Sequence, residues 1–454
     1  MSPQFPGYSL GFVQSMLTEQ SGRASGWFKD LELTTVFQPA FSLPHKKAVG
    51  FGANLRGASE DGGVVAPEAI FGPVDNFSET CLLDLLGTTV HVHNFASRRN
   101  SQNLLFLNLH PEVFLDFAHS APFLTVLFAH YGIPKHRVVL DIPCYLLKLE
   151  RLDATVDAYR ALGCLISING LGVENADLDS VVRTGPDMVK IDHAVVAGAV
   201  ANASVRKTLL HAVSMLHEIG TLVLLKGIES KAEALMAIET DADFASGFYF
   251  GPLYEDVDEF DEPGIVLDNL WNSYKDAHEP GRTHDAEFRA SLDEETLYSS
   301  HIRKLRTAPP ADIHRYRDER RPYIAAIQRA GALMETGAGL ASACAEFLKL
   351  DGAIRCFRLG GDGGQIGPEL CGALPPAPQG MNFSDLIEQV DGDWSRRDFF
   401  RRAMLEPEIV QVTRRYRSLA GYAHCVTFSI AASVNGKPAV ICGDVDWSTH
   451  ASIH

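Results

Sequence analysis

One pattern constrains the fold more than any other. Between about residues 30 and 255, short apolar runs recur at Thr34 to Phe41, Leu104 to Leu109, Arg137 to Ile142, Cys164 to Ile168, Met188 to Ile191 and Thr221 to Leu225. Amphipathic stretches lie between them, at Pro111 to Tyr131, Tyr145 to Leu162 and Ser204 to Ile219. The runs barely alternate between apolar and polar residues, as strands covered on both faces should not. Strand followed by helix, repeated, implies a parallel sheet, because each crossover needs a helix-sized connection. So many units in about 225 residues predict an α/β fold of the (β/α)8 barrel type. A doubly wound sheet is the structural alternative.

The pattern ends near the acidic run Glu255-Asp256-Val257-Asp258-Glu259, and Pro280, Pro309 and Pro310 punctuate the segment beyond it. The chain of 454 residues therefore divides into an N-terminal segment (1–29), a barrel (30–255), a linker or helical connector (256–320) and a C-terminal domain (321–454). Arg320 to Leu350 reads as a long helix. Beyond it the pattern is α+β: a strand at Ala353 to Leu359, a turn at Gly360 to Gly364 and a helix at Trp394 to Met404. Tyr422 to Val434 and Lys437 to Val445 flank Asn435-Gly436, a strong hairpin signal. An antiparallel sheet with helices on one face is expected. The glycine cluster lacks the Gly-Lys-Ser/Thr ending of a phosphate loop.

The net charge of -17 argues against broad nucleic-acid binding, which needs cations to replace phosphate counterions, but leaves room for a locally basic pocket. The eight cysteines form no Cys-x-x-Cys pair and several sit in apolar runs, so they read as reduced core residues. No basic start precedes an apolar block, and no stretch reaches ~20 unbroken apolar residues. A cytoplasmic protein without membrane insertion is expected. His91 and His93, two apart on a helix, do not face one another and predict no metal pair.

Between residues 30 and 255 a series of motifs resembles the EAL family of cyclic di-GMP phosphodiesterases. Phe37-Gln38-Pro39 is similar to the family's opening strand. Gly50-Phe51-Gly52-Ala53-Asn54-Leu55-Arg56 sits where the Glu-Ala-Leu signature belongs. Leu107-Asn108-Leu109, Leu140-Asp141-Ile142, Ile168-Asn169-Gly170-Leu171-Gly172 and Val189-Lys190-Ile191-Asp192 come next, in the family's order. Lys226-Gly227-Ile228-Glu229 and Ser246-Gly247-Phe248-Tyr249-Phe250 complete it.

The resemblance implies a site for two Mg2+ or Mn2+ ions at the C-terminal ends of the strands, where a metal pair clamps the phosphodiester and supplies hydroxide. Such hard cations need converging carboxylates. The matching positions carry Gly52 for the signature Glu, Asn169 and Gly170 for Asp-Asp, Lys226 for a Glu, and Ser246 for the water-positioning Gln. An alignment shift would instead offer Glu174 or Asp177. An ammonium ~4 Å from a metal position repels each unit charge by on the order of 4 kcal/mol at an effective dielectric of about 20, and a divalent ion doubles that. No catalytic residue, metal or other cofactor is expected, Mg2+ included. Lys226 is expected to act as a built-in cation paired with Asp141.

Ligand-binding positions carried over from the family are Gln38, Arg56, Asn108, Asp141, Lys190, Asp192 and Pro252. A rim salt bridge stands open for Arg56 and an ion pair for Asp192, while Glu229 reads as structural. The resemblance leaves three functions: a non-enzymatic cyclic di-GMP receptor, a scaffold that binds a protein partner instead, and a residual metal-dependent phosphodiesterase. A homodimer is expected, as EAL barrels commonly form. The C-terminal domain resembles the one that comes after the barrel in YkuI-type proteins, itself PAS- or Cache-like. The match rests on the entry helix, on Trp394 to Arg402 and on Val440 to Trp447. It implies a ligand pocket from Arg397, Tyr416, Tyr422 and Asp444. Phe399 and Phe400 stand where tyrosines are common, which removes hydroxyl donors.

Overall fold

A computed structural model describes residues 7–96, 103–172, 178–261, 263–277, 310–373, 392–418 and 424–448. The chain divides into two compact units that part between Gly264 and Ile265.

The first unit carries eleven strands among its described residues: β1 (Leu17–Gln20), β2 (Arg23–Phe28), β3 (Leu31–Ser42), β4 (Lys47–Ser59), β5 (Val64–Val65), β6 (Leu104–Asn108), β7 (Val138–Pro143), β8 (Leu165–Leu171), β9 (Met188–Ile191), β10 (Leu222–Leu225) and β11 (Phe244–Ala245). Eight of them close a barrel in the order β3-β4-β6-β7-β8-β9-β10-β11, with β11 returning to β3. The α/β barrel expected from the sequence is present, with one reversal. Pairs from β4 through to β11 are parallel, but β3 runs antiparallel to both neighbours. The cause is local. Only residues 43–46 separate β3 from β4, a turn closed by the Lys46 N–H on the Ser42 carbonyl at 2.9 Å, and no crossover helix fits there.

Residues expected to form a separate N-terminal segment join this sheet. β1 and β2 form a hairpin, and Gly26 of β2 pairs with Leu33 of β3. The helix Phe77–Ala96 lies against β2 and β3. Its Asn94 amide closes two hydrogen bonds on the Ala24 backbone, at 2.7 and 2.9 Å, which satisfies strand groups away from water. The central strands β7, β9 and β10 are buried almost end to end, as their unalternated sequences require.

The second unit is an antiparallel sheet of β12 (Ala353–Gly360), β13 (Leu370–Cys371), β14 (Gln411–Val412), β15 (Cys425–Val434) and β16 (Lys437–Asp446), in the order β13-β12-β16-β15-β14. Asn435 and Gly436 turn the β15–β16 hairpin with φ of 53° and 73°, the left-handed pair that matches strand twist. Helices cover both faces rather than one, because both sets of alternate β15 residues are apolar or bonded. Tyr323, Ile327 and Met334 of the helix Pro310–Glu335 pack with Phe428, Ile430 and Trp447. Phe399, Phe400 and Ala403 pack with Phe357, Val440 and Cys442 on the opposite side.

The entry helix starts earlier than expected and ends where Gly337, at φ 92°, allows a left-handed stop. The helix Gly264–Ala277, read as linker, belongs almost wholly to this unit. Its Lys275 meets Asp393 at 2.7 Å and Asp362 at 3.3 Å, beside the glycine-rich turn.

One end of the sheet holds a buried polar network. Arg355 on β12 donates to Asp444 of β16 at 2.7 Å and to Glu369 at 2.6 Å. Thr427 of β15 donates to Asp444 at 2.6 Å, and its hydroxyl lies 2.7 Å from that of Tyr416. The two carboxylates hold the Arg355 guanidinium charged despite its burial. Replacing Arg355 by Met strands two buried carboxylates without a cation. We expect the second unit to lose about 3–5 kcal/mol, read from its urea transition by tryptophan fluorescence. A loss below ~1 kcal/mol, the scale of an exposed pair, would contradict the network's structural role.

Candidate functional site

The polar ends of the barrel strands converge on one mouth. Gln38 pairs with Gly52, Gly52 with Phe106, Asn108 with Asp141, Asp141 with Ser167, Asn169 with Lys190 and Lys190 with Leu224. Residues paired across a sheet share a face, and alternate residues along a strand return to it. These side chains therefore line one surface, which Lys226 and Ser246 extend, each two residues beyond the paired Leu224 and Phe244. That surface is the barrel interior, since contacts between strands two apart must cross a concave face.

Two such contacts organise it. Lys190 donates to Asp141 at 2.6 Å, and both are almost fully buried. The Lys190 ammonium also lies 4.0 Å from the centre of the Phe106 ring. Burial lowers the Lys190 pKa, and Asp141 opposes that shift. The second oxygen of Asp141 and the Ser167 hydroxyl are buried without partners. Lys226 donates to Asn169 at 2.8 Å and stands 3.6 Å from Asp192. The expected pairing of Lys226 with Asp141 is therefore not formed. Lys190 starts within β9 and reaches Asp141 first, whereas Lys226 starts past the end of β10 and turns to β8.

Backbone geometry explains several of the residues found here. Gly170, at φ 87°, sits in a bulge where the β8–β9 register shifts between Asn169 and Leu171. Gly247, at φ 154°, lies so close to Ile228 that a β-carbon would stand 2.2 Å from its backbone. This fits the Ser246 carbonyl onto the Ile228 N–H at 3.0 Å. Gly52 is different: a β-carbon there meets nothing closer than the Gln38 carbonyl at 3.7 Å. Asp192 caps the helix His193–Ala201 through the Ala194 N–H at 3.3 Å. Pro252 and Glu229 are exposed.

Arg56 and Asn108 also line a cavity of about 160 Å3 with Asn54, Thr88, His91 and Asp84. Asp84 is the residue that sequence reasoning missed. One of its oxygens accepts from the His110 N–H at 2.8 Å, while the other is buried with no partner. Burial pushes its pKa up to about 7, against the pull of that hydrogen bond. His91 bonds the Thr35 hydroxyl at 2.7 Å, and burial holds its pKa down to about 3, so it stays neutral. His93 instead faces Tyr131, so the two histidines do not converge. Arg56 donates to the Leu55 carbonyl at 2.9 Å and has no carboxylate partner among the described residues.

Among the described residues, no three His, Cys, Asp or Glu side chains form a group that could hold a metal ion. Glu174 and Asp177 lie outside the described residues. In the second unit Asp444 and Tyr416 do come together, through Thr427, but the guanidinium that meets Asp444 is that of Arg355. Arg397 instead precedes the helix Asp398–Leu405 as its N-cap residue, and Tyr422 lies outside the described residues. No described helix is long and apolar enough to cross a membrane.

Comparison with known proteins bears on the barrel. The EAL-domain protein YkuI of Bacillus subtilis is 27% identical over 154 residues, which span 33% of this chain and 38% of that protein. A solved structure of Bacillus subtilis YkuI with cyclic di-GMP and calcium covers 92% of this chain and 96% of its own, at 18% identity and a TM-score of 0.47. A standalone EAL protein from Vibrio cholerae, bound to cyclic di-GMP, covers 50% and 95%, at 17% identity and a TM-score of 0.44. The EAL domain model matches residues 23–252, half of the chain and the whole of the closed barrel. By that match the chain belongs to the EAL domain family.

Proposed function

We propose that the barrel is a receptor for cyclic di-GMP that does not hydrolyse it. The observation that carries the reading is the buried, unpartnered Asp84 oxygen on a cavity shared with Arg56 and Asn108. An orphaned carboxylate oxygen costs free energy until a donor meets it. Guanine offers two adjacent donors on one edge, N1–H and the 2-amino group, which a carboxylate accepts together. The cavity falls below the roughly 300 Å3 at which sites for drug-sized ligands begin, so it suits one base rather than a whole dinucleotide. Arg56 can meet a phosphate through paired hydrogen bonds. The YkuI and Vibrio cholerae EAL structures contain cyclic di-GMP.

The donor set at the mouth does not fit a pair of divalent cations. The Asp141 carboxylate is engaged by Lys190, Asn169 carries no charge, Gly52 and Gly170 offer no ligand, and the Lys226 ammonium adds repulsion. Loss of hydrolysis is proposed on that basis. The same reading makes the protein a cytoplasmic regulator that acts as a homodimer on a protein partner.

Calorimetric titration of the full chain with cyclic di-GMP tests the reading. Micromolar or tighter binding without Mg2+ is expected, and Asp84→Ala should weaken it about 10- to 100-fold. No heat with or without Mg2+ would leave the scaffold reading. The free Asp84 carboxyl titrates near pH 7, and the guanine edge binds its ionised form. Affinity should therefore be highest above pH 7 and fall by up to about tenfold per unit below it, a dependence that Asp84→Asn should abolish.

Gly52→Glu should fold, because a β-carbon there meets nothing closer than the Gln38 carbonyl at 3.7 Å. It should still release no linear dinucleotide in Mg2+, since Asn169, Gly170 and Lys226 remain. Product from that single variant, seen by chromatography, would sink the account of the lost metal site.

A further inference from the structure

We infer that the Lys226 ammonium is a fixed cation that binds a phosphodiester oxygen of the ligand directly at the barrel mouth, without a metal ion. The inference rests on the reading of the barrel as a cyclic di-GMP receptor and names the residue that would bear the phosphate charge.

Two lysines reach the mouth, and they differ in availability. Lys190 is buried, is held by Asp141 at 2.6 Å and is covered by Phe106. Its charge is already neutralised. Lys226 is about one-third exposed, at 32%. Its stem is rooted, because its own N–H bonds the Ile191 carbonyl at 3.0 Å. Gly227, at φ 68°, packs next against His193, where a β-carbon would come within 2.7 Å of the ring's stem. The Asn169 amide oxygen, 2.8 Å away, then holds the ammonium.

Its partners leave it under-neutralised. An ammonium has three donors. One goes to the neutral Asn169 amide at 2.8 Å, and Asp192 stands at 3.6 Å. Asp192 also caps a helix, so its charge is shared with the Ala194 N–H. A part-exposed pair at that distance contributes little. A phosphate oxygen entering the mouth meets an ammonium with an open donor and no competing buried carboxylate. Arg56, which has no carboxylate partner among the described residues, is the second such cation in the barrel. Arg56 and Lys226 would set one cation against each of the ligand's two phosphodiester charges.

The test is calorimetry on the full chain in EDTA, with wild type, Lys226→Met and Lys226→Arg. Cyclic di-GMP is one probe, and guanosine, which carries no phosphate, is the other. A hydrogen bond to a charged group contributes about 1.5–3 kcal/mol, so Lys226→Met should weaken cyclic di-GMP binding roughly 10- to 100-fold. Guanosine affinity should not change, and Lys226→Arg should keep most of the affinity for the dinucleotide. Thermal melting checks that each variant folds. Equal affinity of wild type and Lys226→Met for cyclic di-GMP would overturn the role of Lys226 and leave the receptor reading intact. Wild-type binding seen only with Mg2+ would also overturn it. Absence of binding under both conditions would overturn the receptor reading and this inference with it.

Discussion

Burying an ammonium inside a barrel costs several kcal/mol unless groups of opposite charge meet it there. Lys190 is met by Asp141 and by the face of Phe106, and the rest of the mouth is arranged around that pair. Because Asp141 is engaged, the floor of the mouth carries no free negative charge. Lys226 therefore turns sideways, to Asn169 and Asp192, and stays partly in solvent. The buried floor is thus internally compensated, and the ammonium of Lys226 is left part-exposed above it.

The two units meet the same electrostatic problem, a buried cation, with different numbers of carboxylates. In the barrel one buried lysine meets one aspartate. In the second unit one buried arginine meets two carboxylates, and one Glu369 oxygen is left without a partner. Arginine suits that place because its planar fork can serve two acceptors at once and stays charged. The result there is a rigid end to the five-stranded sheet, stitched across β12, β15 and β16.

Much of the fold was legible in the sequence because buried parallel strands leave a plain trace. Runs such as Met188 to Ile191 coincide with strands to the residue, and the Asn435-Gly436 turn was readable from its chemistry alone. The reversal of β3 was missed because two apolar runs look alike whichever way they point. Only the brevity of the turn at residues 43–46 carried the signal. At the site, Arg56 and Asn108 were found by motif and do share a cavity. Which lysine meets Asp141 depends on register across the barrel, which no local pattern encodes. Asp84 was overlooked in an apolar helix, although an acid inside Leu82-Leu83-Asp84-Leu85-Leu86 is itself an anomaly worth reading. Arg355 was hidden within the strand read at Ala353 to Leu359, where nothing local marks its two partners.

The reversed strand also sets the order in which the barrel can be assembled. β3 and β4 are near neighbours in the chain and can pair as soon as both exist. The seam that closes the barrel joins Phe41 and Ser42 to Ala245 and Phe244. A ribosome must therefore finish almost the entire barrel before the far end of β3 meets β11, and contacts so distant in sequence form slowly. Until then the flank of β3 beyond its short pairing with β2 stands open, an unpaired edge able to accept the wrong strand. The N-terminal hairpin, already made by that stage, gives the nascent chain a folded start while it waits for its seam.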